Sequence, residues 1–310
     1  MLSNEPKAGS GNKDACFSVG DVRETDILIP VLGHTGAGKS YFINTVLKHP
    51  KMLVGTDLDS CTAEIAVGCI ENIDEVRYPN LKARRILLID TPGFDDTQQD
   101  DYEILKRVAT WLKQSYKKGA RVEGVIYLHD ITNDRFNGTA RRNLKLFQDL
   151  CGKDALKGAV LATTKWSRKT EDSEKHHQQL VTKHWKPIID NGARVRRFDQ
   201  GYDSAWLLID TILFLGEKRK LNEKILLIQT ELVKQKKIIP ETRAAITLRA
   251  DLQRALDLQK TPVLPSAQPT KQEKREELQE VYDLVQNMLR RMRELKLPLT
   301  QRFKKAFGLS

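Results

Sequence analysis

The eight residues GHTGAGKS, Gly33 to Ser40, restrict the fold more than any other part of the chain. They follow the apolar run ILIPVL (27–32) and precede SYFINTVLK (40–48), so a strand feeds a glycine-rich turn that feeds a helix. Gly33, Gly36 and Gly38 let the backbone aim its N–H groups inward as an anion nest, and the start of the helix adds partial positive charge at the same place. In such a turn Lys39 reaches the outer phosphates of a nucleotide and Ser40 offers its hydroxyl to Mg2+. His34, Thr35 and Ala37 complete the cradle, and Tyr41 follows it.

The alternation continues along the chain. Strand-like runs AEIAVGCI (63–70), ARRILLID (83–90), GVIYLHD (124–130), GAVLATT (158–164) and VRRF (195–198) are separated by helical patterns at 101–118, 138–152 and 174–191. The stretch 202–215 closes the series. Strand alternating with helix predicts an α/β fold, a three-layer sandwich with a mostly parallel central sheet. Such sheets bind ligands at the carboxyl ends of their strands, where GHTGAGKS lies. With 310 residues, 40% of them apolar and 30% charged, the chain can bury a core of this kind.

Asp90-Thr91-Pro92-Gly93 ends the run at 83–90. An acidic residue at the end of a buried strand suits a second Mg2+ contact, and Gly93 can bring its N–H to a phosphate with no Cβ in the way. With both motifs present, the chain resembles the P-loop GTPases of the translation-factor-related class, and within it the septin-like and immunity-associated GTPases with a single G domain. The runs LIDTPGFDDT (88–97), GVIYLHDIT (124–132), RRNLKLFQDLCG (141–152) and VLATTKW (160–166) are most similar to a group of G-domain proteins of filamentous fungi. The resemblance covers about residues 26–216 and implies a site for GTP and GDP with Mg2+. It makes Lys39 and Thr62 the catalytic residues and puts Ser40, Thr62 and Asp90 around the metal. Phosphate contacts fall to Gly33 through Tyr41 and to Gly93, and Thr164, Lys165 and Trp166 occupy the base site. Thr62 lies in DLDSCTAEIAVG (57–68), the place of the first switch loop, with Ser60 and Thr56 as alternatives. The second switch runs from Gly93 to about Asp101.

Two positions depart from the family's pattern. Where N-K-x-D reads guanine, this chain has Thr164-Lys165-Trp166-Ser167. The Lys165 stem can cover the base, and Trp166 either stacks on it or serves as a core or interface residue. A serine hydroxyl cannot replace the carboxylate that accepts two hydrogen bonds from guanine, so ATP or a relaxed base choice stays open. Phe94 follows Gly93, where many small GTPases carry a glutamine that orients the attacking water. Slow intrinsic hydrolysis is therefore expected, with Asp95, Asp96, a second copy of the chain or a separate activator completing the site. Two other readings accompany this switch: a nucleotide-bound assembly protein that hydrolyses little, and a P-loop ATPase.

Residues 1–22, polar and rich in small residues, predict a disordered N-terminus before a G domain at 23–216. Residues 217–310 read as a helical, coiled-coil-like extension. Leu221, Ile225, Ile228 and Leu232 recur at helical spacing, TPVLPSAQPT (261–270) is a proline-rich linker, and Leu278, Val285, Met292 with Val281, Met288, Leu295 mark two heptads. The extension holds 21 Lys and Arg against 12 Asp and Glu, so most of the net charge of +11 lies in it. The expected partners are a second copy, through the nucleotide face or the extension, and an anionic membrane surface under the basic C-terminus. No nucleic-acid recognition motif accompanies the charge, and no specific nucleic acid is expected. Cys16, Cys61, Cys69 and Cys151 form no C-x-x-C pair. The longest apolar stretch, 205–215, is too short to span a bilayer and holds Asp210. The expected location is the cytoplasm, with peripheral membrane attachment as the variant.

Overall fold

Successive side chains of a strand fall on opposite faces of a sheet, and in this chain both faces are apolar. The computed structural model describes residues 17–49, 65–71, 73–94, 101–132 and 136–259. Its strands are β1 (Ile27–Gly33), β2 (Ala66–Ile70), β3 (Ile86–Asp90), β4 (Arg121–Val122), β5 (Val125–Asp130), β6 (Ala159–Thr164) and β7 (Arg194–Arg197). They form one sheet in the order β2-β3-β1-β5-β6-β7, with β4 beside β1. β2 runs antiparallel to β3 and the other pairings are parallel. Ile27, Ile29, Val31, Leu88 and Ile126 enter one buried cluster, while Leu28, Leu32, Leu87, Ile89 and Tyr127 enter the other.

The helices are α1 (Lys39–Leu47), α2 (Asp101–Lys117), α3 (Gly138–Leu156), α4 (Ser173–Gln179), α5 (Lys186–Asp190), α6 (Tyr202–Glu217), α7 (Leu227–Gln229) and α8 (Arg243–Gln259). Phe42, Ile43 and Val46 of α1 with Leu208, Ile209 and Ile212 of α6 close the first cluster. Ile104, Leu105 and Val108 of α2 with Leu146 and Phe147 of α3 close the second. The result is the expected three-layer α/β sandwich.

Pro30 stands in the middle of a central strand, a place that a residue without an N–H normally avoids. The pairing explains it. On one side β1 pairs with β4 through Ile27 and Leu28, then with β5 through Val31, Leu32 and Gly33. Pro30 falls where the partner strand changes.

The single helix expected over 174–191 is interrupted. α4 widens into a π turn at Leu180–His184, and α5 restarts with Pro187 in its first turn, where a missing N–H leaves no bond unmade.

The spacing of Leu221, Ile225, Ile228 and Leu232 is likewise not one helix. It is a 3-10 turn at Leu221–Lys224, then α7 running into a π turn at Thr230–Lys234. Leu226, Ile228, Leu232, Ala244, Ala245 and Leu248 are buried in the cluster that holds α2 and α3. Asp149 of α3 anchors α8, accepting from Thr247 Oγ1 at 2.6 Å and Arg243 Nε at 2.8 Å. Gln229 Nε2 donates to the Leu112 carbonyl of α2 at 2.9 Å. The first part of the extension therefore folds back on the sandwich. The proline-rich linker, both heptads, the basic C-terminus and residues 1–16 lie outside the described residues.

Candidate functional site

β1 delivers Gly33 to the carboxyl edge of the sheet, and the chain turns through His34–Gly38 into α1. The turn closes on itself, with the Ala37 N–H donating to the His34 carbonyl at 3.1 Å. Gly36 and Gly38 sit at φ 77° and 90°, the left-handed region that side chains other than glycine resist. Lys39, only 6% exposed, folds back so that Nζ donates to the carbonyls of Gly33 at 3.1 Å and His34 at 2.9 Å. A buried ammonium thus sits over the concavity of the turn, beside the N-terminus of α1.

Asp90 ends β3 directly beside Val31 of β1. Ser40 Oγ donates to Asp90 Oδ2 at 2.5 Å, while Asp90 Oδ1 is buried with no hydrogen-bond partner among the described residues. Burial pushes the Asp90 carboxyl up, and Lys39 and Ser40 pull it back. A hydroxyl and a carboxylate with an open oxygen are hard donors of the kind Mg2+ takes, the remaining positions being filled by phosphate and water. The donor set fits the metal.

The two motifs are one unit. Thr91 Oγ1 donates to the Val31 carbonyl at 2.8 Å, Thr35 Oγ1 donates to the Gly93 carbonyl at 3.3 Å, and His34 bridges Phe94. Gly93 touches the turn so closely that a Cβ there would stand 2.4 Å from the Thr35 nitrogen. Phe94 is 3% exposed and belongs to the hydrophobic core. Its side chain anchors the start of the second loop and is unavailable to a water at the phosphates.

Of the residues assigned to the base, Thr164 and Lys165 lie at the site's edge and Trp166 does not. Thr164 Oγ1 donates to the Ala37 carbonyl at 2.9 Å, tying the end of β6 to the phosphate turn. Lys165, in the left-handed region at φ 61°, pairs through Nζ with Asp130 Oδ2 at 2.6 Å. Trp166 is a buried packing residue instead of an open stacking face. Its indole N–H donates to Thr163, its ring meets His177 edge-on, and the Arg197 guanidinium lies 4.2 Å from its centroid. Tyr41, half exposed on α1, packs on Phe198 with 6.0 Å between centroids. His34 turns Nδ1 to the Thr35 carbonyl at 2.6 Å, and burial lowers its pKa. Thr62, Ser60, Thr56, Asp95 and Asp96 lie outside the described residues.

Asp130 was not among the residues singled out from sequence. Burial works against its ionisation, but Lys165 and the N–H and hydroxyl of Thr132 outweigh it and hold the carboxyl below the usual range. Its place at the carboxyl end of β5 was the available signal.

Residues 29–165, which carry both motifs, match the family described as 50S ribosome-binding GTPase. Over this segment the chain is similar to the P-loop GTPases. The chain is 27% identical over 149 residues to the tRNA modification GTPase MnmE of Parabacteroides distasonis, a match spanning 48% of this chain and 28% of that protein. It is 27% identical over 142 residues to GTP-binding protein A of Dictyostelium discoideum, across 46% of this chain and again 28% of the relative. The match therefore spans under a third of either relative's length. In fold, the chain is similar to Toc33 from Arabidopsis thaliana in complex with GDP and Mg2+, with a TM-score of 0.50 and 14% identity over 64% of this chain and 86% of Toc33. A dimerization-deficient mutant of Toc33 gives the same TM-score of 0.50.

Proposed function

We propose that this chain binds GTP and GDP with Mg2+ and hydrolyses GTP slowly, as a switch completed by a second copy or another protein. The observation that carries the reading is the Ser40–Asp90 pair at 2.5 Å beside the inward-folded Lys39. Lys39 and the N–H groups of the turn hold the outer phosphates, Ser40 and Asp90 hold the metal, and Gly93 follows the state of the terminal phosphate. Bound Mg2+ neutralises charge on the phosphate oxygens during transfer. Thr62 is the residue proposed to close on the same group from the first switch loop.

The slow rate follows from Phe94. With that side chain in the core, the position after Gly93 supplies nothing to orient water. A group brought by a partner is worth about 10³- to 10⁵-fold in such enzymes. The crystallised dimerization-deficient mutant of Toc33 supports a second copy as that partner. We place the chain in the septin-like and immunity-associated branch, beside the fungal G-domain proteins, and in the cytoplasm.

Turnover of GTP by the purified protein, measured across a range of protein concentrations, tests this. A low rate per molecule that climbs with concentration is expected; a fast rate independent of concentration contradicts it. The burial of Phe94 also favours a second reading, the nucleotide-bound assembly protein. That reading predicts tight GTP binding with no turnover at any concentration.

A further inference from the structure

Ser167 stands where the family's pattern places a carboxylate, so the guanine-reading acceptor must come from elsewhere if the chain prefers GTP. We infer that Asp199 supplies it. This rests on the GTP reading above and adds the residue that selects the base.

The register of the sheet makes the case. β6 and β7 pair in parallel up to Thr163 opposite Arg197, and the Phe198 N–H extends the ladder by donating to the Thr163 carbonyl at 2.9 Å. Lys165 and Asp199 each stand just past the last paired residues of these two adjacent strands, and neighbouring strands lie about 4.8 Å apart. Both chains leave the sheet there, with Lys165 at φ 61° and Gln200 at φ 67°. The neighbours are those of the phosphate site. Thr164 holds the Ala37 carbonyl, and the Tyr41 hydroxyl, one residue past Ser40, reaches the Gln200 carbonyl at 3.5 Å. The turn at 199–200 therefore borders the cradle on the side that Lys165 occupies.

The chemistry favours Asp199 over Asp130, the carboxylate paired with Lys165. Asp130 has Oδ1 engaged by Thr132 and Oδ2 by Lys165. Asp199 is exposed, its N–H donates to Ser204 Oγ at 3.2 Å, and nothing among the described residues engages its carboxylate. Guanine presents two adjacent donors, the ring N–H and the exocyclic amine, which match the two oxygens of a carboxylate. Adenine presents an acceptor at that ring nitrogen and is repelled. Asp199 thus restores, from the neighbouring strand, the acceptor that Ser167 cannot be.

Equilibrium binding of GTP, ATP and XTP with Mg2+ to the full chain, to Asp199→Ala and to Asp199→Asn tests this. Asp199→Ala is expected to lose about 10- to 100-fold in GTP affinity with ATP affinity and melting temperature unchanged. Asp199→Asn, whose amide can donate to the C2 carbonyl of xanthine, is expected to shift preference towards XTP. An unchanged GTP-to-ATP ratio in Asp199→Ala overturns the role of Asp199 and leaves the GTP reading standing. A wild-type protein that does not distinguish GTP from ATP overturns guanine selection itself, and Asp199 with it.

Discussion

Replacing Gly93 by alanine probes whether the phosphate turn and the Asp90–Phe94 loop act as one body. The added Cβ would lie 2.4 Å from the Thr35 nitrogen, 2.5 Å from its Oγ1 and 2.6 Å from its Cα. Favourable contacts of this kind begin near about 3.5 Å, so the two loops must part by roughly 1 Å. Two of the three atoms are backbone, and no rotamer change relieves them. Forcing such a contact into packed surroundings costs about 1–3 kcal/mol, read as a melting temperature lower by about 2–4 °C for each kcal/mol. Misplacement by about 1 Å at a positioned site costs on the order of 100-fold, so affinity for labelled GTP should fall steeply as well. Thr35→Gly removes only the Oγ1 contact and should not rescue Gly93→Ala. A Gly93→Ala protein that melts and binds like wild type, or one rescued by Thr35→Gly, would refute the loop contact as the cause.

The extension and the buried histidine give two further tests. Ile228 is fully buried against the α2–α3 face, so Ile228→Ala should lower unfolding free energy by about 2–5 kcal/mol in a denaturant titration, leaving GTP affinity of the folded protein unchanged. Burial, helped by His34, pushes the His129 imidazole down to about 3 from its ordinary 6.5. Between those two values the unfolded chain binds the proton and the folded chain does not. Stability from this group is therefore complete above pH 6.5 and declines as the pH falls, by about 2 kcal/mol on reaching about pH 5. His129→Leu should flatten that acid slope; parallel slopes for the two proteins would show that the imidazole is not its source.

Much of the frame was legible because it rests on local patterns. The alternating apolar runs at 27–32, 83–90, 124–130 and 158–164 reappear as β1, β3, β5 and β6 with small shifts at their ends. GHTGAGKS and DTPG were legible as a pair by residue type, and the structure brings Ser40 against Asp90 across 50 positions of sequence. What escaped depends on partners distant in the chain. β4 is two residues long and carries no periodic signal, existing only because Arg121 and Val122 meet Ile27 and Leu28. Residue type left Trp166 open between stacking on a base and packing in the core, and Thr163, His177 and Arg197 claim its N–H and its ring. The four-three-four spacing from Leu221 to Leu232 satisfies a long helix, but short turns packed against α2 and α3 satisfy it equally, and tertiary burial decided between them. Asp199, the residue proposed to read the base, carries no motif signal, since only the sheet order brings the end of β7 next to the end of β6.

The proposed phosphate and Mg2+ site for a nucleotide consists of Lys39, Ser40 and Asp90. Titrating the purified protein and its Lys39→Met variant with labelled GTP, with Mg2+ and then with chelator, tests it most directly. Saturable binding at micromolar concentration or below, weakened by chelator and lost in Lys39→Met, is the predicted result. Absence of saturable binding by the wild-type protein, or equal affinity in the variant, would contradict it.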